Sequence, residues 1–225
     1  MWFRKIEEIR RFVRKRLKSS AHDYDHILRV EKIAKILQKN YSEADSDVIE
    51  VAVLLHDLFR VAEDTDKTGK IDHALKGAEF ADGYLKKQKF KSDFISKVCH
   101  CIRVHRYRVG REKPETIEAK ILFDSDKIDV LGAVGVARAF MVAGEYGERI
   151  YSDAEVEDYI KFNLKGGVLR GRIKDLKLHS PNLEFETKFK HIPDLLFTKE
   201  GRKIAKERIK FMENFFKQLK EEITG

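Results

Sequence analysis

Apolar residues return at intervals of three and four along most of this chain, and that spacing limits its fold more than any other feature. Residues 2–18 carry Phe3, Ile6, Ile9, Phe12, Val13 and Leu17 on one stripe. Residues 25–39 repeat the pattern with Ile27, Val30, Ile33, Ala34 and Leu37. Ser46 or Asp47 can cap a helix over 48–58. Further helices are expected at 72–88, 92–106, 115–130 and 133–143. A last one lies in "KEGRKIAKERIKFMENFFKQLKEE", with Ile204, Ile209, Met212, Phe215, Phe216 and Leu219 toward a core. Prolines occur only at 114, 181 and 193. The expectation is one all-α domain over 1–225, with a core at about 20–145 and a C-terminal helical extension at about 185–222. The polar stretch "EDTDKTGKID" reads as a loop. Glycines and scattered charge interrupt the pattern at 164–182, where "VLRGRIKDLKLH" reads equally as a short β-hairpin near 167–180 or as a flexible connection.

Composition excludes some classes. With 225 residues, 42% hydrophobic and 37% charged, the chain can bury a substantial core beneath a heavily charged surface. No apolar run approaches the roughly 20 residues that span a bilayer. The start, "MWFRKIEEIRRFVRKRLKSS", alternates basic and apolar residues at helical spacing and lacks the apolar core and cleavage site of a signal peptide. The expected location is therefore cytoplasmic. Cys99 and Cys101 have no second pair, which argues against a disulfide framework and a four-thiolate metal site; both are expected to be ordinary buried residues. A net charge of +8 suits an anionic partner such as a nucleotide, a nucleic acid or a membrane surface, and is also common in proteins from hot environments.

The informative polar residues are those on apolar faces. In "VAVLLHDLFR", residues 51–60, an apolar run stops at His56 and Asp57. His26 lies on the stripe of Val30 and Ile33, and Asp126 lies between Leu122 and Val130 at helical spacing. A single such histidine is most often a hydrogen-bonded core residue. Two histidines and two carboxylates are harder to explain that way, because buried charge is costly unless paired or bound to a metal.

The series His26, His56-Asp57, Asp126 resembles the HD-domain superfamily of metal-dependent phosphohydrolases. "HDYDHILRVEKIAKIL" is similar to that family's opening helix, "VAVLLHDL" to its signature and "EAKILFDSDKIDVLGAVGVARAF" to its closing aspartate motif. "LLFTKEGRKIAKERIKFMENFF" is similar to the C-terminal helix of a subgroup of small, stand-alone members. The resemblance covers most of residues 20–220 and is weakest at 164–190.

It implies an HD-type helical bundle with a divalent metal held by His26, His56, Asp57 and Asp126. Imidazole and carboxylate ligands suit manganese foremost, with iron, cobalt, nickel or zinc as alternatives, and suit magnesium poorly. Asp57, with Glu63 or Asp64 beyond it, would take part in catalysis, the latter two positioning water or donating a proton. His22, His73, His105, Lys127 and Arg106 would meet the substrate. Arg103, Arg106 and Arg108 form a basic cluster near His105, which reads as a phosphate-binding rim or as a solvated face. Asp23 would cap the helix carrying His26. Of Asp124 and Asp129, one would orient a ligand and the other would be structural. His73 and His105 are expected to serve the substrate rather than a second metal, because Lys76 and the three arginines make their sequence neighbourhoods cationic. The implied substrate is a nucleotide or similar small phosphate ester, cleaved by pyrophosphohydrolase or phosphatase chemistry. The alternative within the same class is a cyclic-nucleotide or oligonucleotide phosphodiesterase. A non-catalytic, basic nucleic-acid-binding protein is the alternative of another class, and it leaves the four ligands unexplained.

Overall fold

A computed structural model of the chain describes residues 2–17, 24–66, 68–106 and 112–225. Among these the secondary structure is helical, with one isolated antiparallel bridge between Leu164 and Ile173. Among the described residues no helix is long and apolar enough to cross a membrane. The residues group into two compact units, 1–126 and 127–225.

The first unit holds α1 (Trp2–Arg16), α2 (Tyr24–Gln38), α3 (Ser46–Leu55), α4 (Arg60–Thr65), α5 (His73–Lys87), α6 (Ser92–Val104) and most of α7 (Ile117–Asp129). Helix α3 lies at its centre. Every residue from Val51 to Leu55 is buried, as expected of a helix that is apolar all round. Each buried valine and leucine among them contributes about 2 kcal/mol on leaving water. Asp45 caps α3, its side chain accepting from the amides of Asp47 and Val48, so the cap falls one residue before Ser46 and two before Asp47, the two expected caps. The helix ends at Leu55 rather than at 58. His56 to Phe59 form a turn into α4, which takes the first three residues of the expected loop.

Helix α1 meets the unit through Ile6, Ile9, Val13 and Leu17, but Phe3 is 78% exposed. Trp2 packs instead, edge-on against Phe90 and Phe94 at 5.5 and 5.4 Å. Arg10 joins three helices. It makes a bidentate pair with Glu31 of α2, both bonds 2.7 Å long, and a further bond to Glu50 of α3. Helices α5 and α6 approach closely at Gly77, where an added Cβ would stand 3.2 Å from Ile102 Cγ2 and 3.5 Å from the His56 carbonyl oxygen. Cys99 and Cys101 are buried and free, and burial pushes the Cys99 thiol up to about 11.

The second unit contains α8 (Gly132–Tyr146), α9 (Val156–Asn163), α10 (Pro181–Thr187) and α11 (Lys199–Thr224). Phe216 of α11 stacks on Phe185 at 5.0 Å and lies against Phe140 of α8. No β-hairpin forms at 167–180. Gly166, Gly167 and Arg170 have φ of 81°, 63° and 66°, values that a strand cannot contain. The pairing therefore ends after the Leu164–Ile173 bridge and a bond from Lys165 N to Arg172 O. The segment is not a loose connection either. Asn163 Nδ2 donates to the Asp175 carbonyl at 2.9 Å, Asp175 N donates back to Asn163 Oδ1 at 3.0 Å, and the Tyr159 hydroxyl shares a 2.6 Å bond with His179 Nδ1.

Candidate metal centre

Two histidines reach the centre by the same local device. His56 and His105 are the C-caps of α3 and α6. At a helix C-terminus the last carbonyls lack an intrahelical partner. His56 Nδ1 donates to the Val53 carbonyl at 2.8 Å, and His105 Nδ1 donates to the Ile102 carbonyl at 2.6 Å. A carbonyl only accepts, so both rings carry their proton on Nδ1 and present Nε2 as a lone pair. His56 Nε2 is buried with no hydrogen-bond partner.

Asp57 joins two donor groups. Its Oδ2 lies 3.5 Å from His26 Nε2 and 3.8 Å from His56 Nε2. Asp126 Oδ1, from α7, lies 3.5 Å and 3.9 Å from the same two nitrogens. On the other side, Asp57 Oδ1 lies 3.5 Å from His73 Nε2 and 3.7 Å from His105 Nε2. Those two nitrogens are 3.1 Å apart. All six residues are nine-tenths or more buried.

This donor set fits a divalent cation. Ligand atoms ~2.1 Å from an ion stand roughly 3.0–3.4 Å apart at right or tetrahedral angles. The observed 3.5–3.9 Å spacings close onto such an ion with small side-chain shifts. His26, His56 and Asp57 form one group suited to a metal, and Asp57, His73 and His105 form another. Burial lowers the pKa of His56, with Asp57 and Asp126 opposing, so the ring is held in the neutral form that coordinates. Burial likewise lowers His73, against the pull of Glu63.

The other expected residues divide. Glu63 is buried; burial alone would raise its pKa, but bonds to His73 and Arg106 outweigh that and hold it far below the carboxylate range. Asp64 pairs with Arg60 at 3.0 Å. Arg106, expected at the substrate, is engaged by Glu63 and Asp72. Arg103 is bound by Glu112 at 2.7 and 3.1 Å, and Lys76 is exposed. Of the four cations near His73 and His105 in sequence, Arg103 and Arg106 are thus matched by acids brought from elsewhere. Asp124 is fully buried, and Asp129, in the second unit, pairs with Arg138 at 3.0 Å. Lys127 begins that unit and is half-buried. His22, Asp23 and Arg108 lie outside the described residues.

Sequence reasoning missed Arg60. It follows Asp57 by one turn, its amide donating to the Asp57 carbonyl at 3.0 Å, and its side chain is 32% exposed. Burial opposes its charge, but Asp64, Asp57 and Glu63 outweigh it and raise its pKa. A cation three residues beyond the aspartate, at the start of the next helix, was the available signal.

An all-helical frame that converges imidazoles and carboxylates on one buried centre is that of a metal-dependent phosphohydrolase. The HD-domain profile matches residues 23–131. The chain is 31% identical to the Bacillus subtilis protein YpgQ over 228 residues, covering 99% of this chain and 95% of that one. The structure of YpgQ in complex with ADP superposes with a TM-score of 0.70 at 28% identity, covering 98% of both chains. An HD-superfamily hydrolase from Bacillus thuringiensis gives a TM-score of 0.69 at 25% identity over 100% of both chains. A predicted HD-superfamily hydrolase from an uncultured Thermotogales bacterium gives 0.61 at 26%, over 97% of this chain and 91% of that one. The chain belongs to the HD-domain superfamily.

Proposed function

We propose that the protein hydrolyses a nucleotide or similar small phosphate ester, releasing phosphate or pyrophosphate, with a divalent ion held by His26, His56, Asp57 and Asp126. Manganese is the leading candidate for the ion. The observation that carries this reading is the convergence of four donors from α2, α7 and the turn after α3 at 3.5–3.9 Å. When bound, such an ion lowers the pKa of water and polarises a phosphoryl oxygen. The chain's own residues do the rest. The helix-end carbonyl of Val53 fixes the His56 tautomer, and the buried surroundings keep the ring neutral. Arg60 is positioned to draw a phosphate, since its charge acts beside Asp57 and its guanidinium is partly exposed. The ADP in the YpgQ complex supports a nucleotide as substrate.

A second reading has a specific observation in its favour. His105 Nδ1 is tied to a carbonyl and His73 Nδ1 to a carboxylate, so two Nε2 lone pairs and Asp57 Oδ1 face one another. Facing acceptors call for a proton or a cation between them. A second ion there, with Asp57 as the bridge, would move the favoured substrate toward phosphodiesters.

The test is a panel of nucleoside mono-, di- and triphosphates and cyclic nucleotides, each with several divalent ions, with products identified. Release of phosphate or pyrophosphate from non-cyclic nucleotides supports the first reading. Turnover confined to the cyclic nucleotides supports the second. No metal-dependent turnover of any of them contradicts both.

A further inference from the structure

His73 differs from the other histidines of the centre in what can hold its ring. His56 and His105 sit at helix C-termini and use the carbonyl three residues back. His73 is the first residue of α5, where the backbone offers N–H groups and no orphan carbonyl. Its Nδ1 therefore needs an acceptor from another element. Glu63 of α4 supplies it: Oε2 accepts from His73 Nδ1 and lies 3.3 Å from the His73 amide nitrogen.

A carboxylate at the end of a two-carbon stem would not hold one direction unaided. Arg106, just past α6, donates to Glu63 Oε1 through Nη2, while its Nη1 lies 2.9 Å from Asp72 Oδ2. Asp72 is itself fixed, because its Oδ1 caps α5 by accepting from the amides of Ala74 and Leu75 at 3.0 and 3.2 Å. The side chains of Arg106 and Glu63 are 7% and 4% exposed, so neither is open to a substrate.

We propose that Glu63 and Arg106 are a positioning pair for His73: Arg106 clamps Glu63 against the start of α5, and Glu63 accepts the hydrogen bond from Nδ1–H, keeping the proton on Nδ1 so that the Nε2 lone pair faces Asp57 Oδ1. Neither residue is then a proton donor or a phosphate ligand. Carboxylates in this relation to a ligand histidine set ring orientation and basicity, and their loss commonly lowers metal affinity or activity roughly 10–100-fold. The inference rests on the second reading, in which Asp57, His73 and His105 hold an ion, but the ring geometry can be tested without metal.

The experiment is long-range proton–nitrogen NMR of the histidine rings in metal-free full-length protein, with a Mn2+ titration alongside. Wild type should show His73 protonated on Nδ1. Glu63→Ala should lose that tautomer preference and weaken Mn2+ binding at the His73 side roughly 10–100-fold. Glu63→Gln, whose amide oxygen still accepts, should restore much of the tautomer preference, and Arg106→Lys should fall between Glu63→Ala and wild type. If Glu63→Ala does not fold, the last two variants carry the same readout. An unchanged His73 ring in well-folded Glu63→Ala or Arg106→Lys overturns the proposal. A changed ring with no turnover of any phosphate ester would instead sustain the positioning pair and reject the enzymatic reading.

Discussion

His56 illustrates how one residue's surroundings select its chemistry. Burial disfavours its charged form, its Nδ1 proton is committed to Val53, and its remaining lone pair faces two carboxylates. His56 and His73 both have folded pKa values below the ordinary histidine value near 6.5. The unfolded chain therefore binds more protons than the folded one as pH falls below about 6.5, and stability falls with it. Stability from these groups is fully present above that pH. The same protonation expels a metal, so activity should show an acid limb below neutrality, and excess Mn2+ should move it to lower pH. A pH profile at two Mn2+ concentrations checks this; an acid limb indifferent to the ion would assign it to another group. Arg60→Ala should lower kcat/KM by on the order of 1–3 kcal/mol while leaving bound metal unchanged. Steady-state kinetics with metal analysis would show it, and an unaltered kcat/KM would remove Arg60 from the substrate site.

Among the elements, α2 and α3 must stay in register, since one carries His26 and the other ends at His56. Apolar packing gives attraction without direction, and the Arg10–Glu31–Glu50 cluster supplies direction. Its side chains are 18%, 9% and 27% exposed, and removing Arg10 takes the bidentate partner from Glu31, which keeps only Lys35 at 2.6 Å, and one bond from Glu50. Arg10→Ala should cost about 2 kcal/mol of stability in denaturant unfolding, whereas Arg10→Leu with Glu31→Leu should recover part of it. Equal loss in both variants would show that the ion pairs are not what matters there. The convergence of His26, His56, Asp57 and Asp126 was legible in sequence because the first and last interrupt apolar stripes of helical period and the other two end an apolar run. The Arg10 cluster and the Glu63–Arg106 pair were not, because their partners lie 21 to 43 residues apart and leave no periodic trace. Phe3 misled because its stripe continues past the surface that α1 covers. The hairpin reading at 167–180 failed because glycines and scattered charge say nothing of the positive φ values at Gly167 and Arg170.

For the molecule as a whole, the order of motifs from His26 to Asp126 gave the family, while the substrate depends on side chains converging from separate elements. The charges of Arg103 and Arg106 are met by Glu112, Glu63 and Asp72, so a net charge of +8 is a weak guide to function. A nucleic-acid-binding role would show as metal-independent binding that weakens steeply with salt. The most direct test of the central claim is a Mn2+ titration of chelator-treated protein, following bound ion and nucleotide turnover together, with Asp57→Ala alongside. Turnover in wild type should be absent after chelation and return as the ion binds, and Asp57→Ala should lose both while keeping its helical content. Full turnover in the chelated protein, or in Asp57→Ala, would contradict the account.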